Sequence, residues 1–358
     1  MRVGILGGGQ LAQMLILAGV PLGLKFVVFT PQISDTTRTL AEHIEAAFDD
    51  TAALDQFADS VDVITYETES IPLTTVHYLE KTKTVLPKST AIEKAQDRLL
   101  EKELFCELGI PTNRYCTIDS ADDIRKAKET LGLPFIIKSR KGGYDGKNQW
   151  RIMTDADLEA VCRETLTDAL AEEFVQFDRE VSVIAARDHQ GDVVVYDICE
   201  NVHTAGILRS TTVQPNDRMH QLATSYITDM LFRLDYVGVL TIEFFVKDNA
   251  LLANEMAPRV HNSGHWTIEG ASTSQFEQHC RAICGWPLGM TTTMGAVAMV
   301  NLIGDMPPPD RVMAVPYVTL HDYQKQLQPK RKLGHVTVFA PDQARMQLSL
   351  DRLFSYVV

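Results

Sequence analysis

The sequence predicts a chain of mixed class, α/β at its start and α+β beyond, and three observations carry that prediction. Over the first ninety or so residues apolar strands alternate with helical stretches, the order of a parallel sheet covered on both faces. From Pro134 strands dominate and read as hairpins, in "REVSVIAARDHQGDVVVYDI" and again in "YVGVLTIEFFVKDNALLANEMAP". At 358 residues the chain is long for one compact core, so two or three domains are expected.

Taken in order, "VGILG" is the first strand, Gln10–Ala18 a helix and "KFVVFT" the second strand. "VDVITYE" is a third or fourth strand, after a helix that Thr51 could cap. The charged run "AIEKAQDRLLEKELFCELGI" carries Leu99, Leu100, Glu103, Leu104 and Leu108 at helical spacing and reads as one helix. Gly109 with Pro111 behind it stops that helix. "PFIIKS" is a strand leading into a glycine-rich loop. The first late hairpin turns at His189–Asp192 and the second at Asp248–Asn249. The tail, Thr291 to Val358, has short strands and a "PPP" linker and looks like a small appended unit.

Composition narrows the function. Hydrophobic content of 45% and charged content of 23% fit an ordinary soluble globular protein. A net charge of −13 argues against wrapping nucleic acid, so any anion site must be a local cluster. Six cysteines without a CxxC pair point to a reducing cytoplasm. No signal peptide is expected, and the apolar stretch Leu11–Phe29 is too interrupted by Gly19, Pro21, Gly23 and Lys25 to span a membrane.

Five stretches carry chemistry. Gly7, Gly9 and Ala12 satisfy G-x-G-x-x-A, in which a helix start approaches a phosphate. No acidic residue ends the second strand, so a dinucleotide, plain helix–sheet packing and a mononucleotide phosphate site all stay open. "IIKSRKGGYDGKNQW" places Lys138, Lys141 and Lys147 around a glycine turn whose backbone N–H groups can converge on an anion, the alternative being a surface hairpin. In the second late hairpin Glu243 falls opposite Glu255. Two carboxylates so opposed repel, and a divalent cation such as Mg²⁺ removes the difficulty; a register slip of one residue is the alternative. "NEMAPRVHNSGHWT" is dense in functional polarity, with Arg259 a planar fork for a carboxylate or phosphate and zinc a rival at His261 and His265. "KRKLGH", with Lys325 before it, is either a solvated cationic cluster or the closure of an anionic site.

Together these stretches resemble the ATP-grasp superfamily, and within it the N5-carboxyaminoimidazole ribonucleotide synthetases. The resemblance covers nearly the whole chain, through "GGGQLAQM", "YETESIP", "QDRLLEK", "GGYDGKNQW", "ENVHTAGILRST", "APRVHNSGHWT" and "KLGH". It implies a Rossmann-like N-terminal (pre-ATP-grasp) domain over 1–95, an ATP-grasp domain over 96–290 with a lid at about 110–175, and a small C-terminal domain over 291–358.

The activity so implied is an ATP-dependent C–N ligase of purine synthesis. It carboxylates the exocyclic amine of 5-aminoimidazole ribonucleotide with bicarbonate, through carboxyphosphate. The resemblance assigns ATP to Arg98, Lys138, the loop Gly143, Tyr144, Asp145, Gly146, Lys147, Asn148 and Gln149, the segment Glu172, Glu173, Phe174 and Val175, and Glu180, His203, Asn254 and Glu255. Glu243 and Glu255 hold Mg²⁺, with Mn²⁺ as an alternative. Arg259 and His261 face bicarbonate, and Asp145 or His261 takes the amine proton, with Lys325 also in the catalytic set. Gln10, Leu11, Glu67, Asn262, Ser263, Arg331 and Lys332 form the ribonucleotide pocket. A cytoplasmic homodimer is implied, whose partners are these small molecules, without nucleic acid or membrane. The loop departs from the family in carrying Asn148 where relatives usually have glycine, and "YETES" replaces a version with phenylalanine and asparagine.

Overall fold

The computed structural model of the protein describes residues 1–142, 148–164 and 166–357. The N-terminal unit runs β1 (Arg2–Leu6), α1 (Gln10–Gly19), β2 (Lys25–Thr30), β3 (Glu42–Glu45), α2 (Thr51–Ser60) and β4 (Val63–Tyr66), followed by α3 (Leu73–Leu79). Its four strands are parallel in the order β3-β2-β1-β4. The strands β1, β2 and β4 are buried almost throughout because helices cover both faces. Thr51 is the first helical residue of α2 rather than its cap. Asp50 caps it, accepting from the Ala53 N–H at 3.1 Å.

The charged run is two helices, α4 (Ser89–Gln96) and α5 (Arg98–Glu107), not one. Asp97 leaves the helical conformation between them and caps α5, accepting from the Leu99 N–H at 3.0 Å. Side-chain periodicity continues across this break, so spacing alone does not show it.

The lid comprises β5 (Tyr115–Ile118), α6 (Ala121–Leu131), β6 (Phe135–Ser139), β7 (Gln149–Ile152), α7 (Asp155–Val161) and β8 (Ala169–Glu173). Its antiparallel sheet has the order β5-β8-β6-β7. Ile124, Leu131 and Leu158 from the helices close one face over Phe135, Ile137 and Ile152.

The remaining elements are β9 (Arg179–Arg187), β10 (Val193–Val195), β11 (Ile198–Thr204), β12 (Ile207–Gln214), α8 (His220–Arg233), β13 (Gly238–Lys247), β14 (Ala250–Ala257), α9 (Thr267–Gly270), α10 (Gln275–Ile283), β15 (Ala296–Ile303), α11 (Pro309–Met313), β16 (Val318–Asp322), β17 (Lys332–Ala340) and α12 (Gln343–Val357). They form one sheet, β14-β13-β9-β11-β12-β15-β17-β16, with β10 paired to β9. The strands of the tail continue the central sheet, while Val300, Val336, Val338 and Leu353 gather in a core of its own. β15 has no alternating pattern because both faces are covered. Val297 and Met299 enter the core shared with α1 and α10, while Ala298, Val300 and Leu302 pack with Leu350 and Leu353 of α12.

His279 of α10 ties the N-terminal unit to the central sheet. Its Nδ1 accepts from the Val239 N–H at 3.2 Å, so its Nε2–H faces Thr65 Oγ1 at 2.8 Å. Burial pushes this imidazole down to about 4, which keeps it neutral in that double contact.

Candidate active site

The β13–β14 hairpin closes on a two-residue turn, with Lys247 opposite Ala250 and both Asp248 (φ 49°) and Asn249 (φ 62°) in the left-handed region. Continued unbroken, that register would set Asn254 opposite Glu243. Instead Phe244 faces Ala253 while Glu243 faces Glu255, which leaves Asn254 as a bulged extra residue. The carboxylates are opposed as the sequence predicts, but the bulge produces the opposition.

Their electrostatics follow. Burial and then the Glu255 charge push Glu243 up to about 7. Glu101 of α5, buried behind the pair, is pushed up to about 8 by the same two causes and accepts from the Met256 N–H at 2.6 Å. Arg98 lies 3.7 Å from Glu255. Glu180 sits 2.5 Å from His203 Nδ1. Burial opposes the charge on His203, yet Glu180, Glu243 and Glu255 raise its pKa overall. Among the described residues no group of three or more His, Cys, Asp or Glu is gathered to hold a metal alone. The opposed pair is instead suited to a cation whose other ligands come from a substrate.

In the lid sheet, Lys138 of β6 donates to Glu172 of β8 at 3.0 Å. Glu172 also accepts from Asn113 at 3.0 Å and lies 3.8 Å from the buried Lys102. Burial works against its ionisation, but Lys102 and Lys138 hold its carboxyl far below the usual range. The Glu172 side chain is thus a buried counter-ion for two lysines. Glu173 pairs with Arg114 at 3.0 Å, and Phe174 and Val175 are half-buried in the crossover from lid to central sheet. Gly143, Tyr144, Asp145, Gly146 and Lys147 lie outside the described residues. Asn148 has φ 53°, a conformation that glycine takes freely and asparagine tolerates, and Gln149 opposite Lys138 opens β7.

Asp97 fixes Arg98 and Lys138 relative to each other. Its carboxylate takes Arg140 Nε and Nη2 at 2.9 and 2.7 Å, and the Arg98 N–H donates to the Arg140 carbonyl at 3.0 Å. With Arg98 and Lys138 on ATP as the resemblance implies, Asp97→Asn is expected to weaken ATP binding by about 1 kcal/mol, roughly fivefold. Calorimetric titration of the variant with ATP checks this.

His261 ends a directional chain of buried polar groups. Thr211 Oγ1 donates to Asn201 Oδ1 at 2.9 Å, Asn201 Nδ2 to Ser182 Oγ at 3.0 Å, and Ser182 Oγ lies 2.7 Å from Ser263 Oγ. Ser263 then meets His261 Nδ1 through its hydroxyl at 2.9 Å and its N–H at 3.3 Å. Nδ1 is thus an acceptor, and the ring proton belongs on Nε2, 3.4 Å from Glu243. Burial, Arg259 and Lys332 lower the His261 pKa well below its ordinary value. The neutral ring accepts at Nδ1 and carries its proton on Nε2. Ser263 is fully buried in this chain rather than facing a pocket. Asn262 exchanges two hydrogen bonds with the buried Asn301, at 3.0 and 2.7 Å. Sequence reading missed Asn201, Thr211, Ser182 and Asn301, whose signal is only a polar residue inside an apolar strand.

A separate cavity of about 330 Å³ lies between the N-terminal unit and the tail, lined by residues that include Gly7–Gly9, Ser34, Glu67, Lys325 and Arg331. The glycine loop does not offer its N–H groups freely. Glu67 accepts from Gly9 N–H at 2.6 Å and from Ala12 N–H at 3.0 Å, and a Cβ on Gly9 would stand 2.7 Å from Glu67 Oε1. Gln10 accepts from Lys325 Nζ, whereas the Leu11 side chain is buried in the core. Burial and then Arg331 bring Lys325 down to about 8.

Three family profiles match successive parts of the chain: the ribonucleotide synthetase preATP-grasp domain over 1–96, the ATP-grasp domain over 103–276 and the phosphoribosylaminoimidazole carboxylase C-terminal domain over 297–348. N5-carboxyaminoimidazole ribonucleotide synthase of Pseudomonas aeruginosa is 44% identical, with 97% of each chain covered. The chain belongs to the N5-carboxyaminoimidazole ribonucleotide synthase family. The fold agrees: the N5-carboxyaminoimidazole ribonucleotide synthetase structure from Thermus thermophilus superposes with a TM-score of 0.95 at 42% identity, covering 99% of this chain and 98% of that one. A family member from Aspergillus clavatus, solved with ADP and 5-aminoimidazole ribonucleotide, reaches a TM-score of 0.91 at 27% identity, covering 99% of this chain and 98% of that one. The family is one of ATP-grasp ligases. Among the described residues no helix is long and apolar enough to cross a membrane.

Proposed function

We propose that the protein joins bicarbonate to the exocyclic amine of 5-aminoimidazole ribonucleotide at the expense of ATP, giving N5-carboxyaminoimidazole ribonucleotide, ADP and phosphate. The opposed pair Glu243 and Glu255, with Arg98 3.7 Å from Glu255, is the observation that carries this reading. The pair suits Mg²⁺ or Mn²⁺, which would supply charge neutralisation on the ATP phosphates. Lys138 and Arg98 add fixed positive charge on the same groups. Phosphoryl transfer asks the protein for position and charge more than for covalent help.

Arg259 orients bicarbonate so that one of its oxygens attacks the γ-phosphorus, and the bond to the β-bridging oxygen breaks to release ADP. His261 donates from Nε2 toward the anion so formed. Carboxyphosphate hydrolyses readily, so the glycine-rich loop is proposed to close over it. Glu67, Lys325 and Arg331 receive the ribonucleotide in the cavity they line, with Gln10 held against Lys325. Cytoplasmic location and a homodimer accompany this reading.

Phosphate release should require bicarbonate and rise on adding 5-aminoimidazole ribonucleotide. Turnover with formate in place of bicarbonate would instead indicate a formate-using ligase of the same superfamily, and NADH fluorescence on mixing would indicate a nicotinamide enzyme. Lys325 adds a pH signature. With its pKa lowered to about 8, it is charged below that value and loses its charge above it. The kcat/KM for the ribonucleotide is therefore expected to fall as pH rises through about 8. In Lys325→Arg, whose guanidinium stays charged, that fall should move to higher pH. A profile that is the same in both proteins removes Lys325 from the assignment.

A further inference from the structure

Glu69 has no role in the scheme above, yet it holds the residue on which bicarbonate depends. It lies three residues beyond β4, on the N-terminal unit, and its carboxylate accepts from both Nε and Nη2 of Arg259, the second at 2.9 Å. Arg259 Nη1 donates to the Val260 carbonyl at 3.1 Å. Both side chains are largely enclosed, at 18% exposure for Arg259 and 30% for Glu69. The loop is pinned in turn by Gln96, whose Nε2 donates to the carbonyls of Glu69 and Ile71 at 2.6 and 2.7 Å. Burial resists the Glu69 charge, but Arg259 more than offsets it.

A guanidinium carries five N–H bonds in a fixed plane. Nε–H, one Nη2–H and one Nη1–H are taken by these contacts. The two that are left sit one on each terminal nitrogen, along the end edge of the plane. That edge matches two oxygens of a planar carbonate or of a phosphate. We propose that Glu69 is a positioning residue, which grips Arg259 side-on so that its end edge is presented to bicarbonate. The inference rests on the reading of the chain as a bicarbonate-using ligase.

Steady-state kinetics of the wild type, Glu69→Ala, Arg259→Ala and the double variant test it. Glu69→Ala is expected to raise the KM for bicarbonate by at least about tenfold through misplacement of the fork, with the KM for ATP within about twofold of wild type. In the double variant, Glu69→Ala should add little to Arg259→Ala, because the two act as one unit. Equal rises in both KM values, or losses that multiply in the double variant, would overturn the proposal and leave Glu69 a domain tether. Should Glu69→Ala fold poorly, Glu69→Gln keeps the volume and one acceptor oxygen. It should show a smaller rise in the same KM, and an unchanged bicarbonate KM overturns the proposal equally. A wild-type protein without bicarbonate-dependent phosphate release defeats the functional reading itself. Bicarbonate-dependent release together with an unmoved Glu69 variant defeats only this inference.

Discussion

Glu255→Gln is expected to lower bicarbonate-dependent phosphate release by at least about 10²-fold, the scale of losing one preorganised electrostatic group. The substitution keeps the volume of the side chain and removes its charge. Glu243 then loses the neighbour that helps push it up to about 7, and Glu101 loses part of what pushes it up to about 8. The metal-free protein should therefore be no less stable than wild type, since a repulsion between opposed carboxylates has been relieved. Lost turnover with unchanged or raised thermal stability is the combined signature. Initial rates over a Mg²⁺ series, alongside melting curves, read both. Near-normal turnover at saturating Mg²⁺ would remove Glu255 from the metal site.

Glu172→Gln should act oppositely, on stability first. The wild-type carboxylate is 3% exposed and lies between Lys138 and a Lys102 that is 1% exposed. Removing one member of a buried charge set leaves the others uncompensated, a cost of about 3–5 kcal/mol. Lys102 keeps Thr112, Asn113 and the carbonyls of Ala253 and Asn254 as acceptors, which tempers the loss.

The pH dependence has a definite sign. Glu172 has a folded pKa depressed below the unfolded value of about 4.3. Its contribution is whole above the unfolded value and is lost only as pH falls through the depressed folded one. The stability gap between wild type and variant should hold constant from pH 7 down to about 5 and narrow only in stronger acid. Urea unfolding at several pH values measures this. A variant that unfolds with the wild type at pH 7 would show that the triad contributes nothing net.

Much of the fold was legible because it rests on local patterns. The strand–glycine–helix opening, the glycine stop at Gly109 and the two late hairpins depend on residues near one another in the chain. What escaped depends on distant partners. Asp97 interrupts a run of helical spacing because its carboxylate is wanted by Leu99 and Arg140. β15 and β17 were read as short strands because a strand buried on both faces shows no alternation.

The candidate site divides the same way. Lys138, Glu243, Glu255 and His261 stand in distinctive motifs, whereas Glu69, Glu101 and Glu172 look like ordinary charges until their buried counterparts are known. The glycine motif at Gly7–Gly9 is a true helix approach, but Glu67 reaches its N–H groups from 55 residues or more along the chain. No local pattern announces such an internal ligand.

The extra residue at Asn254 also decides parity along β14. Leu251 and Ala253 face the core, and strict alternation would send Glu255 in after them while turning Met256 outward. With Asn254 inserted the phase inverts, so Glu255 stays on the cleft side and Met256 rejoins Leu251 and Ala253 in the core. Shortening this strand by one residue would thus do more than shift a carboxylate. It would exchange a charged and an apolar side chain between interior and cleft, so the active site and the hydrophobic core depend on the same single-residue count.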